Sequence, residues 1–202
     1  MPNRLSLRTI LHLFRTKTIM LIGITGTIWA GKGVAVEYFT QLWFKHYSAR
    51  SYFTKILEEQ GIEVTRPNMI FLANSLRQEH WWAYIIEQLI KDALKEWWNA
   101  VVESIRALEE VDILKQYEWI LIGITANQQT RYQRVIQRGT SLDNITFEQF
   151  KFDEHVEGSS TDPKDSNIFA CLEHCDIIFE NNDTIENFHH QIHNYVNNLN
   201  LN

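Results

Sequence analysis

The residues best equipped to do chemistry lie between positions 21 and 34, in the stretch LIGITGTIWAGKGV. Gly26, Gly31 and Lys32 have the G-x-x-x-x-G-K spacing, with an apolar run before them and a helical pattern after them. In that context a loop can curl successive backbone N–H groups around an anion. The following helix N-terminus adds partial positive charge, and the lysine can reach the outer phosphates of a nucleotide. The loop and the start of the helix after it run through Gly26, Thr27, Ile28, Trp29, Ala30, Gly31, Lys32, Gly33 and Val34. A second cationic group follows the other copy of the pentapeptide LIGIT, which occurs at 21–25 and again at 121–125. There, Arg131, Arg134 and Arg138 fall at i, i+3 and i+7, on one helix face with no acid among them. Arginine suits bidentate contact with phosphate, although such a face can also be simply solvated.

These groups must be held by a framework, and the sequence outlines it. The runs at 18–25, 100–105, 119–125 and 176–180 are short and continuously apolar, and a very short fifth strand is expected at 45–48. Continuous rather than alternating hydrophobicity means cover on both faces, hence a parallel sheet with helices on either side. The twin LIGIT runs predict two neighbouring central strands. Helices are expected at 32–44, 51–61, 68–80, 82–98 and 107–116, with Gly61 as a C-terminal cap. Thr146 with Gln149, and Asp183 with Glu186, read as capping boxes that start two more. The polar stretch 139–165 is the expected mobile lid.

Composition narrows the functional classes. A 202-residue chain with 45% hydrophobic and 22% charged residues is an ordinary globular domain. The net charge of −6 argues against general nucleic-acid binding, and no apolar run approaches the roughly 20 residues of a membrane span. All 25 acids lie after residue 36. The first 17 residues form an acid-free, arginine-bearing extension with Leu7, Ile10, Leu11 and Phe14 on one helical stripe. The expected compartment is the cytoplasm. That N-terminus is read as a short docked or frayed helix, with organelle targeting as the other reading. Cys171 and Cys175 are the only cysteines, too few for a disulfide framework.

The segment GITGTIWAGKGVAVEYF resembles the P-loop of nucleoside monophosphate kinases and dephospho-CoA-kinase-like proteins; as in adenylate-kinase-like members, a glycine, Gly33, follows the lysine. HYSARSYF, ANSLR, VVESIR, RYQRVIQRG and DIIFENNDTIENF are similar to further segments of that family, so the likeness spans about residues 18–196. It implies a three-layer α/β P-loop kinase with a five-stranded parallel sheet, acceptor-binding helices over about 48–98 and a lid over about 139–165, all in one domain from 18 to 202. It also implies ATP and Mg²⁺ as cofactors, small-molecule nucleotide substrates and a monomer or homodimer. By the resemblance, Lys32 and the loop backbone hold the donor phosphates, and Asn181 lies near the adenine. Arg134 and Arg138 would meet the donor base and phosphates, with Arg131 on the same helix, and Glu103 would position magnesium through water. Ser48, Arg50, Arg77 and Arg106 would receive the acceptor's phosphate.

Four positions depart from that pattern. Trp29 stands where relatives carry a glycine, and a bulky residue at positive φ costs about 1–2 kcal/mol. Val34 replaces a hydroxyl residue, Ser51 an aspartate, and HWW at 80–82 a His-Gly-Pro turn. The implied reaction is transfer of the ATP γ-phosphoryl to a small phosphorylated acceptor, a nucleoside or deoxynucleoside monophosphate. A weakly active or inactive nucleotide-binding regulatory protein of the same fold is the alternative. A dephospho-CoA kinase is a third.

Overall fold

The computed structural model describes residues 19–138, 145–159 and 166–200. The N-terminal extension and both flanks of the expected lid therefore lie outside the described residues. Five strands, β1 (Leu21–Gly26), β2 (Lys45–Tyr47), β3 (Ala100–Val102), β4 (Ile120–Thr125) and β5 (Ile177–Glu180), form one parallel sheet in the order β2-β3-β1-β4-β5. The twin LIGIT strands are neighbours, as expected. Ile22 and Ile24 face one layer, where Phe39 of α1 (Lys32–Gln41) and Phe188 and Ile192 of α9 (Ile185–Asn200) bury them. The opposite layer is built from α4 (Tyr84–Lys95), α5 (Leu108–Gln116) and α8 (Ile168–Glu173), and covers Val102 and Leu121. Burying each such aliphatic or aromatic side chain is worth about 1.5–3 kcal/mol. Gly23 and Gly123 let these helices approach: an added Cβ would lie 2.6 Å from Leu114 Cδ1 and 2.7 Å from Leu172 Cδ2 respectively.

Both central connections leave the carboxyl edge of the sheet in opposite directions. β1 feeds α1 on one face, and its neighbour β3 feeds α5 on the other. The split opens a crevice where ligands bind in sheets of this kind. Three further helices complete the region: α2 (Ala49–Glu59) and α3 (Arg66–Glu79), which pack with α4 around Phe53, Ala73 and Ile85, and α6 (Gln128–Arg138), which follows β4. The centre of the expected lid is α7 (Phe147–Gly158), started by Thr146, whose hydroxyl accepts the Gln149 N–H.

Several element ends differ from the expected ones, for local reasons. β3 stops at Val102 rather than 105 because Ser104 takes a left-handed φ of 69°. α1 and α4 end before Trp43 and Trp97, which are left-handed at φ 67° and 53°. The last helix is capped by Thr184, whose Oγ1 accepts the Asn187 N–H at 3.3 Å, and not by Asp183. Gly61, at φ 68°, closes α2 as expected, with Ile62 N–H reaching back to Leu57 O.

Cys171 is buried on α8 and Cys175 lies just past its end; both are free thiols. Burial pushes both up to about 12, reinforced at Cys171 by Glu110 and at Cys175 by Asp176. At neutral pH the thiolate fraction is then minute. Iodoacetamide is expected to label the folded protein more than about a hundredfold more slowly than the urea-unfolded chain, as mass spectrometry would read.

Candidate active site

The loop Thr27–Gly31 connects β1 to α1 and is fastened from below. Thr27 N–H donates to Ile124 O, and the Thr25 hydroxyl donates to Ile105 O at 2.8 Å. Gly31, the N-cap of α1, has φ 102° and no side chain to cap the helix; an added Cβ would lie 2.3 Å from Asn181 Nδ2. No acid occupies the first turn. The amides of Lys32, Gly33 and Val34 therefore begin a helix without a side-chain cap, which is the chemistry of an anion site. Lys32 Nζ lies across the loop and donates to Gly26 O at 2.7 Å and Thr27 O at 2.8 Å. Trp29 has φ 61°, so the strain that its bulk implied is present. Its half-buried indole lies 5.0 Å from the Arg138 guanidinium, a cation–π contact that fastens the loop to α6.

The other arginines of α6 hold the loop by its carbonyls. Arg134 donates to Trp29 O at 3.3 Å and to Asn181 O at 2.8 Å, while Asn181 Nδ2 donates to Ala30 O at 2.9 Å. Burial first, and then the neighbouring Arg131 charge, holds the Arg134 pKa below its ordinary value. Arg131 is only 4% exposed. It donates to Ala126 O at 2.7 Å and Ile28 O at 3.2 Å, and pairs with Glu154 of α7, itself held by Gln128 Nε2 at 2.6 Å. Arg131 thus ties α7 to the loop after β1, through a link with Glu154 that helical spacing does not announce.

The second half of the crevice is a cavity of about 730 Å³ between α2, α3, α4 and the segment after β3. Arg50, Arg77 and Arg106, three of the four residues expected to meet an acceptor phosphate, line it together. Ser48 does not line it: its hydroxyl caps α2, accepting the Ser51 N–H at 3.1 Å. Arg66, Glu110, Ser104 and Ser166 also line the cavity and were not foreseen. Glu110 is buried, and its carboxylate accepts the N–H groups of Arg106 (2.8 Å) and Ala107 (3.2 Å). Burial raises its pKa, with those two amides opposing. The Arg77 guanidinium lies 4.6 Å from the Trp82 ring, so the HWW segment supplies one wall.

No family model matches the chain. A UPF0200 protein from Methanocaldococcus jannaschii is 31% identical over 136 residues, covering 65% of this chain and 69% of that protein. The chain belongs to the UPF0200 family. Among solved structures, the UPF0200 fold here is similar to a dephospho-CoA kinase from Campylobacter jejuni (TM-score 0.52, 20% identity, 88% of this chain and 95% of that one). It is also similar to a shikimate kinase from Acinetobacter baumannii (TM-score 0.53, 14% identity, 92% and 97%). At those identities the likeness establishes the fold, a P-loop kinase architecture.

Glu103 of this UPF0200 protein stands just past the end of β3, with Oε1 3.1 Å from His46 Nε2 and its side chain about a quarter exposed (27%). Among the described residues no group of three or more His, Cys, Asp or Glu side chains could enclose a metal. A single carboxylate at the sheet edge can serve a divalent cation only through that ion's water shell. No described helix is long and apolar enough to cross a membrane.

Proposed function

We propose that this UPF0200 protein transfers the γ-phosphoryl group of ATP to a small phosphorylated acceptor, with nucleoside and deoxynucleoside monophosphates as the first acceptors to try. The observation that carries the reading is the pairing of two anion-binding features at one sheet edge. An uncapped helix start with Lys32 follows β1, and a cavity lined by Arg50, Arg77 and Arg106 follows the adjacent β3. Phosphoryl transfer asks a protein mainly to position two anions and neutralise charge between them.

In this reading the amides of residues 26–34 and the Lys32 ammonium hold the triphosphate, and Arg134, Arg138 and Asn181 fix the loop and border the donor base. Glu103 would hold a magnesium ion through the ion's water shell, and the ion would supply charge neutralisation. Arg131 acts through the loop and α7. Ser48 serves the acceptor side as the cap of α2, placing Arg50.

The reading of a nucleotide-binding regulatory protein draws on a specific feature: Lys32, Arg131 and Arg134 all donate to backbone carbonyls of the loop or its neighbours. Steady-state ADP release with ATP and magnesium, measured with and without a panel of monophosphates, separates the two. Acceptor-dependent release is expected. ATP binding seen by calorimetry, with no ADP released by any acceptor, would favour the regulatory reading.

A further inference from the structure

The acceptor cavity holds more cationic charge, over a longer span, than one phosphate can use. Arg66 and Arg77 lie on the same helix, eleven residues apart, which is about three turns. They therefore share one edge of α3 and are separated by roughly 16 Å along its axis. Ile70 and Ala73 fall between them on that edge, four and seven residues after Arg66, and both line the cavity. Ile70 is half exposed there. Phe53, Trp82 and Ile85 line the cavity as well.

The two arginines sit at different ends of the cavity. The Arg77 charge is near enough to Glu110 to oppose, in small part, the burial that raises that carboxyl's pKa, and Glu110 accepts the backbone N–H of Arg106, four residues after the end of β3. That end is the sheet edge where phosphate would arrive. Arg66 starts the helix at the remote end. Among the described residues no carboxylate lies within ion-pair distance of Arg50, Arg66 or Arg77, and the Arg77 Nε atom is buried without a hydrogen-bond partner. Asn and Gln, the side chains that read a nucleobase edge through paired donors and acceptors, are missing from the described lining.

We propose that the acceptor is an elongated phosphate monoester carrying a second anionic group, a phosphate or a carboxylate, at the far end of an apolar body, and that Arg66 is the residue that selects for it. This inference rests on reading the cavity as the acceptor's site, and it narrows the phosphorylated acceptor away from nucleoside monophosphates, which carry no second anion at the far end. The first phosphate is held by Arg50, Arg77 and Arg106. The body lies along Ile70 and Ala73 against Trp82, and the distal anion meets the Arg66 guanidinium.

Calorimetric titration of the full chain with octyl phosphate and with octane-1,8-diyl bisphosphate, without ATP, tests it. The bisphosphate is expected to bind at least about tenfold more tightly, the gain of one charge-assisted contact. Arg66→Ala should bring it down to the octyl phosphate level and leave octyl phosphate unchanged, and Arg66→Lys should keep most of the difference. Arg77→Ala should weaken both ligands. Replacing the diyl bisphosphate by the matching ω-phosphocarboxylate tells which second anion is preferred, and a gain with either supports the inference. Equal affinities for the wild-type protein, no binding of either compound, or an Arg66→Ala loss shared by octyl phosphate would overturn it. An Arg66-controlled preference without ADP release from ATP would leave the two-anion site standing and sink phosphoryl transfer; acceptor-dependent ADP release with equal affinities would do the reverse.

Discussion

A Lys32→Ala protein is expected to fold with the wild-type helix content and transfer phosphate about a hundredfold to a thousandfold more slowly. Lys32 is the first residue of α1, and its ammonium donates to the edge of the loop at Gly26 O and Thr27 O. Losing two hydrogen bonds at a partly exposed site costs the fold little, about 1–2 kcal/mol. Its absence from the charge clamp around the transferring group is another matter. Removing one preorganised donor at the point where charge develops typically costs two to three decades in rate. Lys32→Arg is expected to recover little, since a planar guanidinium does not replace a compact ammonium at this depth. Rates and thermal melts measured on the same preparations check this. A rate unchanged in Lys32→Ala would remove the loop from the chemistry.

Arg131→Ala should instead strike stability. It leaves Glu154, 7% exposed, as a buried carboxylate without its cationic partner, and strips Ile28 O and Ala126 O of a donor. Breaking a buried pair from one side costs about 3–5 kcal/mol. For a chain of this size that is a fall in melting temperature of roughly 10 °C. Replacing both partners, as in Arg131→Met with Glu154→Leu, should recover most of the loss because no charge is then stranded. The double variant still lacks the bond to Ile28 O. Its affinity for ATP, read by calorimetry, is therefore expected to stay below wild type although its stability returns. A single variant that melts at the wild-type temperature would show that the link between α7 and the loop is dispensable.

The central strands were legible because they are apolar on both faces, and the repeated LIGIT already implied two adjacent strands in matching environments. The strand–loop–helix turn after β1 was legible from glycine and lysine spacing, and the positive φ of Trp29 from the glycine it displaces. Three of the four expected acceptor residues share a cavity because each follows a recognisable segment. Arg66 and Glu110 escaped notice because helical periodicity tells which residues share a face and is silent about which helices face one another. The same limit hid the Arg131–Glu154 pair, which exists only where α7 docks on α6. The early ends of α1 and α4 escaped for a different reason: a left-handed turn is ordinarily announced by glycine, and here tryptophan takes that conformation at 43 and 97. The capping contact of Ser48 was not read from the sequence, although a serine just ahead of a helix has that local use.

Phosphoryl transfer as proposed needs both anion-binding features at the sheet edge to act together, and the fate of a labelled phosphate tests that most directly. With ATP labelled in its γ-phosphate, magnesium, and a panel of phosphate monoesters that includes members with a second anion, the label is predicted to move onto an acceptor in a wild-type reaction and to remain in ATP with Lys32→Ala. Label that stays in ATP, or appears only as inorganic phosphate whatever the acceptor, would contradict it.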